Sequence, residues 1–263
     1  MDVVLARRPE IGAGGIARDD SAFQFYARIN AIVAPEHSVL DLGAGRGAQF
    51  DGAASWKKAM TTLRGKVKRV AGCDVDPIVL TNPYVDDASL IGADGKLPYE
   101  DGTFDLVYCD WVLEHVEDVA PFVAEVDRVL KRGGWFCART PNKWGYVALA
   151  ARTLPQSLER RMLHFAQPNR LEHDVFPKHY RLNTLGAIRR AFPRDRWRDC
   201  SFSASSTPSY HGGKQLLFDL MDWFQRLTPA AVDTVLLVFM QKHEVATVVQ
   251  PTASSPTHHN ANA

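Results

Sequence analysis

From Val39 to Gly47 the chain reads Val-Leu-Asp-Leu-Gly-Ala-Gly-Arg-Gly, an apolar run entering a turn with glycine at 43, 45 and 47. Glycines there permit positive φ and close backbone approach to a ligand, at the strand end where open α/β sheets bind nucleotides. The pattern alone leaves the ligand open, because Gly43, Gly45 and Ala48 also satisfy the dinucleotide fingerprint G-x-G-x-x-G/A. Asp41, two residues before the first glycine, argues against a pyrophosphate: a carboxylate there repels an anion and attracts a ligand bearing ammonium and sulfonium charge. A second apolar run ends in Gly72-Cys-Asp-Val-Asp76, where Asp74 can accept from both hydroxyls of a ribose. Asp74 follows Gly47 by 27 residues, somewhat beyond the roughly 20 of the dinucleotide fold. Asp94, after the third run, is placed to accept from an adenine amino group. Plainer readings stand beside these: Asp76 precedes Pro77 and reads as a helix cap, and Asp94 can simply close an Asx turn.

Glu114 and His115 follow the fourth apolar run, and a His beside a carboxylate is a candidate general base for a substrate hydroxyl. Farther on, His173-Asp-Val-Phe-Pro-Lys-His-Tyr-Arg gathers His173, His179, Tyr180 and Arg181. No third ligand has a convincing spacing, so no metal site is expected. Those residues, with Asn142, Trp144 and Tyr146, read instead as a segment presenting aromatic and polar groups to a substrate. The arginines at 160, 161 and 170 read as a solvated surface, with an acidic or phosphorylated substrate as the sharper alternative.

The elements that must position these groups alternate. Short apolar runs at 39–42, 67–73, 89–93, 104–109 and 135–139 are separated by longer amphipathic stretches, the pattern of a parallel sheet with crossover helices. Asp19 and Asp20 offer N-cap chemistry for a helix through Val33, with Phe23, Phe25, Tyr26, Ile29 and Ile32 on its buried side. A second helix spans about 119–130, stopped by Gly133 and Gly134. A helix near 216–227 and a β-run at 234–241 close the ordered chain. Residues 1–17 are Gly- and Ala-rich and read as flexible, 141–182 as a substrate-side insertion or lid within one domain of 18–249, and 250–263 as a disordered tail.

Val39 to Phe136 resembles a class I S-adenosylmethionine-dependent methyltransferase, in particular the large small-molecule group called methyltransferase type 11. The resemblance rests on DLGAGRG at 41–47, GCDVDP at 72–77, GADGKLPYEDGTFDLVYCDWVLEHVED at 92–118 and LKRGGWF at 130–136. It implies an α/β, Rossmann-like fold: a mostly parallel seven-stranded sheet with an antiparallel last strand and helices on both faces. It also implies S-adenosylmethionine as cofactor. Asp41, Gly43 and Gly45 would surround its methionyl part, Asp74 would bind the ribose, Val75 would pack on adenine, Asp94 would meet the adenine amino group and Asp110 would close the methionyl end. Two departures stand out: Cys109-Asp110-Trp111 replaces small polar residues, and Arg132 stands where the family usually has Pro. Many members with different substrates have a His at the position of His115, which suggests site shaping as much as base catalysis. Because a sulfonium is a good leaving group, alignment supplies much of the rate, and a dedicated base is dispensable.

Composition sets the outer bounds. Lys plus Arg total 31 and Asp plus Glu 30, a formal charge of +1 that exerts no global pull toward nucleic acid or anionic membrane. The four cysteines form no C-x-x-C pair, and Arg7 and Arg8 are not followed by an apolar segment, so a reducing, cytoplasmic setting is expected. No run is long enough for a membrane span. The expectation is O-methylation of a small-molecule or saccharide-like acceptor, with Trp111, Glu114, His115, Asn142, Trp144, Tyr146, His179 and Tyr180 on the acceptor side. The alternatives are an NAD-dependent oxidoreductase using the same cleft and a non-catalytic S-adenosylmethionine-binding protein.

Overall fold

A computed structural model describes residues 3–47, 50, 55–146, 148–149, 177–208 and 211–244. Strands β1 (Ser38–Leu42), β2 (Arg69–Asp74), β3 (Asp87–Leu90), β4 (Phe104–Asp110) and β5 (Leu130–Pro141) pair in parallel in the order β3-β2-β1-β4-β5. Strand β8 (Val235–Lys242) then runs antiparallel to β5, with Pro141 opposite Val235. Its other edge takes two short strands, β6 (Trp197–Asp199) and β7 (Phe202–Ala204). Eight strands thus fill seven positions. The outer one is broken where the Phe239 N–H donates to the Ser201 hydroxyl instead of a backbone carbonyl.

Alternation along the strands sends side chains to two cores. Leu40, Leu42, Val107 and Cys109 face α4 (Val119–Val129) and α5 (Leu185–Ala191), against Val126, Val129, Ile188 and Phe192. Val39, Leu106, Tyr108 and Cys137 face α2 (Ser21–Ile32), against Phe25, Tyr26 and Ile29. Each of these fully buried side chains stabilises the fold by roughly 1.5–3 kcal/mol. The remaining helices are α1 (Val3–Arg7), α3 (Ser55–Thr61) and α6 (Gln215–Leu227). Among the described residues no helix is long and apolar enough to cross a membrane.

Several expectations change. The stretch before Ala17, expected to be flexible, holds α1 and a 3-10 turn at Pro9–Gly12, and Arg8 is buried there, paired with Asp19 and Asp222. Asp20 alone caps α2, accepting from the Phe23 N–H at 2.9 Å, and Phe23 itself is exposed rather than buried. Helix α4 ends at Val129, before the glycines expected to stop it, and β5 starts at once. Gly133 and Gly134 instead serve a bulge in β5, where a Cβ on Gly134 would lie 2.9 Å from the Asp105 carbonyl oxygen. The third strand lies earlier than expected, at Asp87–Leu90. Most of the 141–182 segment and the whole 250–263 tail lie outside the described residues.

Candidate cofactor and acceptor site

Strand β1 delivers the glycine turn to the carboxyl edge of the sheet. Gly43 has φ +78°, and a Cβ there would lie 2.4 Å from Val112 Cγ2; Gly45 has φ +47° and opens toward Asp74. Four of the turn's N–H groups are already used. Gly43 and Ala44 both donate to the Cys73 carbonyl, at 2.7 and 3.2 Å, Gly45 donates to Asp74 Oδ2 at 2.9 Å, and Gly47 to the Ala44 carbonyl at 3.3 Å. A dinucleotide pyrophosphate needs such donors pointing outward.

Asp41 sits beneath this turn at 5% exposure, accepting from the Tyr108 hydroxyl at 2.8 Å. Burial pushes its carboxyl up to about 7, against the pull of the Tyr108 hydrogen bond and with Asp110 and Asp74 adding to the rise. No cation pairs with it among the described residues. Asp74 holds the Gly45 N–H on one oxygen and the Asp76 N–H, at 3.0 Å, on the other. Val75 beside it is 61% exposed, an apolar side chain left uncovered at a strand end. Asp76 accepts from the Ile78 N–H at 2.9 Å and caps the next 3-10 turn, as read from the sequence. Asp94 accepts from the Lys96 N–H at 3.1 Å through one oxygen.

Asp110 is more committed than expected. Arg139, the adjacent residue in register on β5, grips it through Nε and Nη2, both at 2.7 Å, and the Tyr26 hydroxyl donates to it at 3.2 Å. The same guanidinium lies 5.3 Å from the Trp111 ring centroid, and the Trp111 N–H donates to the Arg139 carbonyl. Trp111 adopts φ +60° and stays partly exposed, a conformation unfavourable for a bulky residue. The roles of Tyr26, Tyr108 and Arg139 at the site escaped the sequence reading. A lone arginine inside the apolar run Phe136–Thr140 was the available signal, since a charge in a buried strand requires a partner.

Glu114 is buried, and burial pushes its carboxyl up to about 7; the Thr140 hydroxyl donates to it at 3.0 Å, and Asn183 donates in turn to that hydroxyl. The Glu114 carbonyl accepts the N–H groups of both His179 and Tyr180, which brings two distant expected residues to the end of β4. Tyr180 does so at φ +53°. His115 Nδ1 lies 2.7 Å from the Pro177 carbonyl. A carbonyl only accepts, so Nδ1 carries the hydrogen, and in the neutral ring Nε2, 4.0 Å from Glu114 Oε1, is the basic nitrogen. Asn142, expected toward the acceptor, is instead a buried turn residue, donating to the Ala231 carbonyl and accepting from the Trp144 N–H. Trp144 is exposed, while Tyr146 accepts from Gln225 and packs edge-on against Phe224 of α6. The site residues therefore form three groups: the glycine turn, the end of β4, and the start of the chain beyond β5. His173 and the arginines at 160, 161 and 170 lie outside the described residues.

Residues 40–138 match the family model of the methyltransferase domain. Over 110 residues the chain is 34% identical to a "probable S-adenosylmethionine-dependent methyltransferase" of Mycolicibacterium smegmatis, covering 40% of this chain and 38% of that one. Residues 40–138 thus resemble class I S-adenosylmethionine-dependent methyltransferase domains. An uncharacterized methyltransferase of Schizosaccharomyces pombe is 32% identical over 87 residues, 33% of this chain and 30% of the relative. The matches thus span under two fifths of the length of these curated relatives. The fold extends farther: an S-adenosylmethionine-dependent methyltransferase structure from Mesorhizobium loti aligns over 85% of this chain and 99% of its own, with 21% identity and a TM-score of 0.51.

The residues around the turn suit S-adenosylmethionine, the methyl donor used by the domains that this stretch resembles. A buried carboxylate with no cation among the described residues, beneath a turn with four of its N–H groups occupied, suits a positively charged ligand and offers little to a pyrophosphate. The dinucleotide alternative loses on that point.

Proposed function

We propose that this protein transfers a methyl group from S-adenosylmethionine to an oxygen of a small-molecule or saccharide-like acceptor. The observation that carries the reading is Asp41, a buried carboxylate at the glycine turn with no cation against it among the described residues. In this reading Asp41, Gly43 and Gly45 surround the methionyl part, Asp74 the ribose, Val75 and Asp94 the adenine, and Asp110 the methionyl end through its Arg139 pair. Asp74 keeps lone pairs for ribose hydroxyls while it braces Gly45. When bound, S-adenosylmethionine supplies an electrophilic methyl group whose transfer leaves a neutral thioether.

An alcohol must lose its proton as the new bond forms, and the end of β4 offers a base for it. Pro177 fixes the His115 tautomer so that Nε2 can take that proton, with Glu114 beside it to favour the resulting imidazolium. A neutral amine needs no such help, so the arrangement favours oxygen. Trp111, His179 and Tyr180 stand around the same strand end and supply acceptor contacts.

Calorimetry with S-adenosylhomocysteine and NAD tests the cofactor reading: heat from the first and none from the second is expected, and the reverse overturns it. Transfer of isotopically labelled methyl to hydroxylated against amino acceptors tests the chemistry. His115→Gln should lower turnover about a hundredfold, the scale of general base catalysis, with S-adenosylhomocysteine affinity unchanged. Full turnover in that variant would remove the base. Cofactor binding with no transfer to any acceptor would make the protein a binder.

A further inference from the structure

Glu114 is held from behind by hydrogen bonds whose direction is fixed. Asn183, fully buried just before α5, donates through Nδ2 to the Pro141 carbonyl at 2.9 Å and to the Thr140 hydroxyl oxygen at 2.7 Å. A carbonyl only accepts, so the atom facing Pro141 is the amide nitrogen. Thr140, also fully buried, therefore receives a hydrogen from Asn183, and its own goes to Glu114 Oε2 at 3.0 Å. The other carboxyl oxygen, Oε1, lies 4.0 Å from His115 Nε2. Asn183 keeps this pose although its Oδ1 is buried without a hydrogen-bond partner, a destabilising arrangement that a structural contact alone does not call for.

We propose that Asn183 and Thr140 are positioning residues for His115: they hold Glu114 as a carboxylate with Oε1 toward the ring, so that a proton shared by the two side chains rests on the imidazole. The inference rests on the reading of His115 as the base. As the pH falls, the first proton to reach this pair can sit in either of two places, giving a neutral acid beside a neutral ring or a carboxylate beside an imidazolium. Burial disfavours the carboxylate and Asp110 adds to that, while Glu114's own backbone N–H, the Thr140 hydroxyl and Lys178 favour it. The segment packed over the ring brings the Pro177 carbonyl, which keeps a hydrogen on Nδ1, and His179, whose Nε2 lies 3.8 Å from Glu117 Oε2. Among these influences the Thr140 hydroxyl is a neutral donor aimed at one carboxyl oxygen, so it moves the division of the proton without adding or deleting a charge. An imidazolium formed when Nε2 takes a hydroxyl proton would then meet a carboxylate rather than a neutral acid.

Ring-nitrogen chemical shifts of His115 in the full chain, followed by NMR against pH and assigned by the signal lost in His115→Gln, read the ring's titration midpoint with no acceptor needed. Thr140→Val should lower that midpoint by about half a pH unit or more, roughly threefold in proton affinity. Glu114→Gln should lower it at least as far, and Thr140→Ser, which keeps the hydroxyl, should restore it. Asn183→Leu, which frees the Thr140 hydroxyl to turn away, should move it in the same direction; Thr140→Ser against Thr140→Val carries the test if the leucine variant does not fold. A purely structural role for Thr140 and Asn183 would lower the melting temperature and leave the midpoint alone, and that result would overturn the proposal. So would a midpoint lowered in Glu114→Gln but unmoved in Thr140→Val. Full turnover in His115→Gln beside the expected shifts would instead remove the base, while the hold of Asn183 and Thr140 on the proton stands.

Discussion

The Asp41 carboxylate has a tyrosine hydroxyl against it where most buried acids have a cation, and this gives it two measurable consequences. Its proton is held more tightly in the folded chain than in the unfolded one, where a carboxyl titrates near 4. Folded protein therefore binds more protons than unfolded protein between about pH 4 and 7, and by linkage the stability that Asp41 contributes is full below pH 4 and is lost as the pH rises to about 7. Glu114 has the same sign and the same upper limit. Binding of a cationic ligand runs the other way, since it needs Asp41 ionised and should strengthen as the pH rises through 7. Asp41→Asn, which keeps an acceptor for Tyr108, should then raise the melting temperature of the free protein at pH 8, change it little at pH 4, and weaken S-adenosylhomocysteine binding by about 2 kcal/mol or more. Thermal melts at the two pH values with calorimetry check this; a destabilised variant at pH 8 with unaltered affinity would make Asp41 a structural residue only. The places of Asp41, Asp74 and Asp76 near strand ends were legible because each follows from its position along its own strand. The partners Tyr108 and Arg139 were not, because they reach the site across the sheet from β4 and β5.

Two strand ends interlock at the turn. Gly43, past β1, leaves the space that Val112, past β4, fills, so the two loops cannot be varied separately. Gly43→Ala carries a backbone cost of about 1–2 kcal/mol for its positive φ, and its new methyl would stand 2.4 Å from Val112 Cγ2. Val112→Ala alone should cost about 1–3 kcal/mol as a truncated, partly buried apolar residue. The double variant should be less destabilised than the sum of the singles by about 1 kcal/mol or more, because the clash disappears while the φ cost remains. Strict additivity in denaturant melts would show that the loops do not meet. At this scale the parallel strands were readable from alternation of apolar runs, and α4 from its helical spacing. The β5 bulge was not, since Gly133 and Gly134 look like a helix stop until the register of β4 against β5 is known. The outer strand was missed because each half is three residues long and its continuity depends on the Ser201 hydroxyl.

Across the whole molecule, the stretch that composition marks as loose is what ties the chain's beginning to its end. Arg8 bonds Asp19 at the start of α2 and Asp222 on α6, and its guanidinium lies 5.5 Å from the Phe218 ring centroid. Asp19 in turn accepts from Thr207, and Ser206 donates to Ser21, so one cluster joins α1, the α2 entry, the chain after β7 and α6. Nothing in the local sequence announces α1, because a five-residue helix is unstable alone and persists through tertiary contacts. Arg8→Met keeps the apolar stem over Phe218 but leaves Asp19 and Asp222 facing each other without their shared cation. Breaking a buried pair in this way costs about 3–5 kcal/mol. For a chain of this size that corresponds to a melting temperature lower by about 6 °C or more. Adding Asp19→Asn should recover part of the loss, since the amide oxygen still accepts from Thr207 while one of the two charges is gone. Affinity for S-adenosylhomocysteine should stay within about threefold, a change under roughly 0.7 kcal/mol, because the cluster touches α2 and α6 rather than the glycine turn. A melting temperature within about 2 °C of the parent would mean that the N-terminal segment is laid on the surface and holds nothing together.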